Sequence, residues 1–425
     1  MMLAAIVVTF LALLLLGMDV AFSMVTAAVV GFLIRGNAMD DSVMLPLTML
    51  TGVDTAALLS IPLFILAGEL MNAGGVTRRL VEWSLALVGH FRGALSQVAV
   101  FTNLIMAGIS GSAVADATAV GTALVPAMQK EGYKPGYPGA VIAAAAMLGP
   151  IIPPSIPMVI YAVIANQSLI KIFLGGVVPG LLLALGYMVI CRFIAVRHDY
   201  PAQRKSSWGE RVTATRLAGW ALAMPVMVIG GIRFGVVTGP EAAAPVAVYA
   251  GVVRWFVYRE LTWERLKSLV FSAGKTSAVV LFLLAAAGPF GWLMAEGRIA
   301  DGVRALVFSL SSNPAVVLLM INLLLLVVGK VLEPLPAMIL FVPTLLPIAA
   351  ELQLDPTHFA IMVILNLMIG MQTPPIGLLL FVSAAIGKEP MGAIIRQIIP
   401  FVVWSLVVLV MVAAFPGVVT WLPNL

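Results

Sequence analysis

One cysteine, Cys191, in a chain of 425 residues excludes an intramolecular disulfide and leaves no Cys/His motif for a metal. Histidine is almost as scarce, at three residues, and charged residues are only 10% of the chain. Against that, 62% is hydrophobic and the mean hydropathy is +1.10. A water-soluble core cannot use so much apolar surface, so the bilayer must be the solvent. The net charge of +5 is small for this length, and its placement reflects membrane topology rather than nucleic-acid binding. There is no HExxH zinc motif and no GxxxxGK[ST] phosphate loop, so this chain alone does not hydrolyse ATP. The apolar N-terminal stretch lacks a positive n-region and a small-x-small cleavage site, and reads as the first membrane helix.

What is abundant is repetition. Gly108, Pro126, Pro135, Gly149, Pro153-Pro154 and Pro179 recur as Gly329, Pro347, Pro356, Gly370, Pro374-Pro375 and Pro400, each 221 residues on (329 − 108 = 400 − 179 = 221). An internal duplication whose apolar segments are interrupted in matching places points to a secondary transporter with its site at the repeat interface. Spans of about 20 apolar residues are expected near 2–17, 20–35, 57–74, 137–166, 171–195, 217–234, 240–257, 275–295, 357–387 and 393–421. Two stretches, about 93–130 and 313–350, carry a break at their middle and limbs too short to cross comfortably, so each is expected to be a re-entrant hairpin.

Charge sets the expected orientation. Residues 196–216 and 254–275 are rich in Arg and Lys and belong in the cytoplasm, whereas 35–56, with Asp40, Asp41 and Asp54 against Arg35, belongs outside. The first hairpin then opens inward and the second outward. Five spans and one hairpin per repeat make an odd count. The expected fold is therefore an all-α polytopic membrane protein of two inverted repeats, 1–210 and 211–425, with broken helices at about 137–166 and 357–387 and both termini outside. Segments 76–90 and 254–273 read either as interfacial amphipathic helices or as ends of long tilted spans.

The candidate chemistry lies at the breaks. Ser110-Gly111-Ser112 at the first tip offers hydroxyls and carbonyls freed from helical bonding, and oxygens without a nearby cation suit a desolvated alkali ion. The break at Gly149 to Ser155 frees further oxygens, as does its counterpart at Gly370 to Pro375, so each tip with its matching break makes one ion site. Asp116, one turn beyond the first tip, either binds an ion indirectly or caps the second limb. Lys330 and Glu333 at the second tip are spaced to pair. Asn103 and Asn322 are expected to hydrogen-bond between helices. A competing class is an intramembrane serine protease, because Gly108-Ile109-Ser110-Gly111 has the GxSG form. That chemistry needs a histidine base, and His90, His198 and His358 all fall near span or loop ends.

The chain closely resembles the large membrane subunit of TRAP (tripartite ATP-independent periplasmic) transporters of DctM type. The resemblance is carried by Ile61 to Gly68, Gly108 to Gly121 (GISGSAVADATAVG), Ile152 to Tyr161 (IPPSIPMVIY), Gly239 to Ala244 (GPEAAA) and Gly370 to Gly377 (GMQTPPIG), and it covers essentially the whole chain. It implies an importer of organic acids in the bacterial inner membrane, without a cofactor, with sodium as its coupling ion and working by an elevator movement of a transport domain against a scaffold. It implies as partners a periplasmic substrate-binding protein and a small four-helix membrane subunit, here expected as a separate chain. Carried over residue by residue, it implies a first sodium site of Ser110, Gly111, Ser112, Pro153 and Ser155. The second would comprise Gly329, Glu333, Thr373 and Pro375. Beside the resemblance, the residues themselves offer Asp116, Lys330, Gln372 and Asn103 as candidate substrate or coupling residues. Asp19 departs from the proline usual there. Lys330 adds an unexpected charge at the second tip, which would weaken or replace a cation site or meet an anionic substrate.

Overall fold

The structure, a computed structural model, describes residues 2–36, 38–72 and 75–425, and no β-strand occurs among them. In lipid a helix satisfies its own backbone groups, and runs of Leu, Val, Ile and Ala supply the apolar surface. The first half of the chain forms α1 (Met2–Leu15), α2 (Val20–Arg35), α3 (Ala38–Thr51), α4 (Ser60–Asn72) and α5 (Val76–Val88). It continues through α6 (Ala94–Ser110), α7 (Ala113–Lys130), α8 (Tyr137–Ala146), α9 (Ile156–Ile164) and α10 (Leu169–Arg197). The second half forms α11 (Trp208–Arg233), α12 (Ala243–Val252), α13 (Trp263–Glu296), α14 (Ile299–Leu310), α15 (Pro314–Val331), α16 (Pro334–Glu351), α17 (Pro356–Gln372), α18 (Leu378–Gly387) and α19 (Met391–Ala414).

Helix boundaries recur at the sequence offset. Adding 221 to the end of α6 and to both ends of α7 gives 331, 334 and 351, where α15 ends and α16 begins and ends. The largest departure lies between α3 and α4. Gly52, Asp54 and a short 3₁₀ turn at Ala56–Leu59 interrupt the first half, while α13 runs on through the matching stretch as one helix of 34 residues. At 1.5 Å per residue it is about 51 Å long, well over the hydrocarbon thickness.

Several expectations about the spans are corrected by this architecture. Segment 35–56 contains a helix, α3, rather than a plain connection; the side chains of Asp40 and Asp41, and positions 73 and 74 of the expected span 57–74, lie outside the described residues. Residues 263–273 are the first part of α13, which realises the long-span alternative, whereas α5 is a separate helix. Both limbs of the second hairpin have 18 residues and are long and apolar enough to cross a membrane. Six helices among the described residues meet that test, or up to seven if the bent pair at 57–88 is one span. Spans 2–17 and 20–35 form only shorter apolar helices.

Packing interlocks the two halves. The second limb of each hairpin lies against the helix after the break of the other half, α7 on α18 and α16 on α9. The helix before each break lies on the other half's last long helix, α8 on α19 and α17 on α10. A second group forms elsewhere, with α2 and α3 on α13 and α4 on α12. Bulky apolar side chains such as Phe271, Val279, Val327 and Val410 remain exposed along these helices, as a lipid-facing surface requires. Together these features define a multi-pass, all-helical membrane protein.

Candidate functional site

The first tip is built by one glycine and one cap. Gly111 ends α6 in the left-handed region, with φ of 62°, where an added side chain is strained. Ser112 then caps α7, its hydroxyl accepting from Ala115 N–H at 3.4 Å. The buried Ser110 hydroxyl donates to Asp116 Oδ1 and accepts from Ser112 N–H at 3.2 Å. Asp116 is fully buried, and its Oδ2 has no hydrogen-bond partner among the described residues. The cap is therefore Ser112 and not Asp116, whose carboxylate instead holds the Ser110 hydroxyl.

This tip sits directly on the first break. A Cβ placed on Gly111 would lie 2.7 Å from the carbonyl oxygen of Pro154 and 3.2 Å from Cα of Ser155. One placed on Gly149 would lie 2.7 Å from Asp116 Oδ2. The break carries a cis Pro153–Pro154 bond, and Ser155 restarts the helix as the cap of α9 while donating to Pro150 O at 2.6 Å. Ser110, Gly111, Ser112 and Ser155 thus come together with the Pro154 carbonyl oxygen against the glycine, and the Pro153 carbonyl oxygen lies 3.6 Å from the Cβ position of Gly108, one turn back along α6.

The second tip is built differently. Leu332 and Glu333 are extended, as expected of a residue before Pro334, and no glycine is needed. Contact with its break is at least as tight: a Cβ on Gly370 would fall 2.4 Å from the backbone carbon of Gly329. The Thr373 hydroxyl bonds back to Ile369 O at 2.6 Å, and Pro374–Pro375 is cis like its counterpart. Glu333 and Pro375 are exposed, so this end is more open than the first.

Three expected residues go elsewhere. Lys330 is half-buried in the last turn of α15 and makes no ion pair with Glu333 among the described residues, so the expected pairing is not formed. Gln372, fully buried, points away from the tip: its amide donates to Ser405 Oγ at 2.6 Å and to Tyr187 OH at 3.4 Å, joining α17 to α19 and α10. Asn103 bonds to Ala99 O at 2.8 Å within its own helix, contrary to the interhelical role expected. Asn322 does bond between helices, receiving Asn366 Nδ2 at 2.7 Å from α17. The sequence reading passed over Asn366, since a lone Asn in an apolar run carries no partner signal.

Both tips open onto one cavity of about 740 Å³. On one side are Gly111, Ser112, Pro150, Ile156 and Pro157 of the first tip and break, with Val331 to Pro336 of the second tip. On the other are Met18, Asp19 and Val20 between α1 and α2, and Lys275 to Leu283 along α13. Sequence reasoning noted Asp19 only as atypical and counted Lys275 among loop charges. Only the packing of α2 on α13 brings them together.

No histidine bonds to Ser110 among the described residues. His358, the buried one, uses Nε2 on Val412 O at 2.7 Å. The protease reading is therefore unsupported. Two helical hairpins with their tips at one cavity, each seated on a broken helix, are the arrangement of a membrane transport permease.

The chain belongs to the family described as tripartite ATP-independent periplasmic transporter, DctM component, whose profile matches residues 7–418. Its relatives are permeases, so the chain is a transporter subunit and not an enzyme. It is 38% identical over 415 residues to the sialic acid TRAP transporter large permease protein SiaM of Vibrio cholerae, covering 98% of this chain and 97% of that one. It is 37% identical over 367 residues to the C4-dicarboxylate TRAP transporter large permease protein DctM of Pseudomonas aeruginosa, covering 86% of each. The fold is also similar to the YdaH transporter of Alcanivorax borkumensis, with a TM-score of 0.58 at 16% identity over 89% of each chain.

Proposed function

We propose that this permease is the large subunit of a sodium-coupled importer of organic acids in the bacterial inner membrane. Sodium binds where each tip meets its break: Ser110, Gly111, Ser112, Pro153 and Ser155 at the first, and Gly329, Glu333, Thr373 and Pro375 at the second. The observation that carries this reading is the first tip, where a glycine without room for a Cβ sets hydroxyl and carbonyl oxygens against a broken helix. A cation leaving water needs such oxygens to replace its hydration shell. The Ser110 proton is committed to Asp116, which leaves an oxygen lone pair free for an ion.

Residues 1–210 and 211–425 act as inverted repeats, with both termini outside. The interlocked tips and breaks move as one body against the group formed by α2, α4, α12 and α13, with the cavity at the boundary. A carboxylate is costly to desolvate alone, and sodium beside it offsets that cost. A periplasmic binding protein delivers the substrate, and a small four-helix membrane subunit supports the scaffold.

The test is thermal unfolding of the purified protein against sodium at constant ionic strength, balanced with potassium or choline. At about 100 Kd, sodium should stabilise the folded state by roughly 2.7 kcal/mol. Ser110→Ala is expected to weaken sodium binding by roughly tenfold, about 1.4 kcal/mol, with membrane insertion unchanged. A response identical to wild type in that variant removes the first-site assignment, and no sodium-selective response at all removes the coupling.

A further inference from the structure

The cavity between the tips holds three charges. Asp19 and Lys275 come from the wall built by α2 and α13, and Glu333 from the second tip opposite. Among the described residues none of the three takes part in an ion pair, so Lys275 is more than 4.0 Å from both carboxylates. Opposite charges that line one space without touching leave room for a ligand between them. The rest of the wall is largely Leu, Val, Ile, Met and Pro, with the hydroxyls of Ser112 and Thr276.

We propose that this cavity takes a zwitterionic carboxylate, a substrate bearing an ammonium or similar cationic group, in preference to a plain dicarboxylate. The proposal deepens the sodium-coupled importer proposed above and rests on it. The carboxylate of the substrate meets Lys275 and the N-terminal end of α7, an 18-residue helix whose first N–H groups open beside Ser112. Its cationic group meets Asp19, with Glu333 across the cavity.

The conclusion does not depend on how sodium is shared out. If sodium neutralises Glu333, Asp19 and Lys275 remain, one charge of each sign. If it does not, two carboxylates and one ammonium remain, and a dianion is opposed still more strongly. Like charges placed together in a confined site act against the wrong ligand, and this is how discrimination is built when attraction alone does not supply it. The polar atoms of Asp19 are already positioned, since Oδ1 caps α2 by accepting from Ala21 N–H at 2.9 Å.

The experiment uses the full chain in lipid nanodiscs at saturating sodium and follows the unfolding midpoint with ligand. Each α,ω-dicarboxylate, from succinate to suberate, is paired with the ω-amino acid in which an ammonium replaces one carboxylate. At least one amino acid is expected to bind about tenfold more tightly than its dicarboxylate partner. Asp19→Asn is expected to bring that ratio within about threefold, and because Asn also caps helices the fold is retained. If no amino acid in the series outbinds its partner, or if the preference survives Asp19→Asn, the proposal is overturned. The sodium response without organic ligand separates the two failures: its presence keeps the sodium-coupled reading while the zwitterion preference falls, and its absence removes the coupling on which the proposal rests.

Discussion

Gly111→Ala is expected to abolish sodium-selective stabilisation while the protein still inserts. Two costs add. An alanine at φ of 62° pays about 1–2 kcal/mol for the left-handed conformation. Its Cβ would also sit 2.7 Å from the Pro154 carbonyl oxygen, and that neighbour is backbone, not the end of a flexible side chain. The tip must lift off the break, which separates the Pro154 carbonyl from the tip oxygens that share the proposed ion. Gly132→Ala is the matching control. It has φ of 79° with nothing within 4 Å of its Cβ position, so it bears the conformational cost alone. Sodium titrations of the unfolding midpoint in both variants check the prediction. A Gly111→Ala protein that responds to sodium as Gly132→Ala does would show that the tip need not touch the break.

Removing the Glu389 carboxylate, well outside the tips, is expected to be strongly destabilising. Glu389 is only 8% exposed and accepts from Gly136 N–H and Gly139 N–H, both at 2.9 Å. It thus reaches from the chain after α18 in the second half to the start of α8 in the first. The first N–H groups of a helix have no partner within it, and a carboxylate there also answers the helix dipole. Glu389→Ala leaves two buried donors unsatisfied, at about 1–3 kcal/mol each, so a loss of roughly 2–6 kcal/mol is expected. Glu389→Gln keeps one acceptor oxygen and should lose less than half as much. Thermal unfolding in nanodiscs measures both, and equal midpoints for Ala and wild type would mean that other groups satisfy α8.

Local rules made much of this site legible. Gly108 and Pro126 with their counterparts Gly329 and Pro347, and the two Pro-Pro pairs, mark both hairpins and both breaks because backbone geometry is decided within a few residues: Gly111 turns the first tip, and Pro334 holds Glu333 extended at the second. The cap at Ser155 follows from the same kind of rule, an oxygen side chain just ahead of a helix. Span lengths were less legible. The limbs α15 and α16 fall at the margin of crossing length, and α3 was hidden in a stretch that charge alone described as a loop.

By itself the sequence determined that this is an apolar, duplicated membrane protein whose irregular backbone lies in two matching pairs of places, because hydropathy and Gly/Pro punctuation act locally. Only the tertiary structure decided which side chains meet. Gln372 is drawn to Tyr187 and Ser405 in preference to the tip, Asn322 finds Asn366 while Asn103 stays on its own helix, and Lys330 remains apart from Glu333. Lys275 and Asp19, some 250 residues apart in the chain, come to share one cavity with Glu333. Those outcomes depend on how α2, α10, α13, α17 and α19 pack, and packing between distant segments leaves no periodicity or motif in the sequence to read.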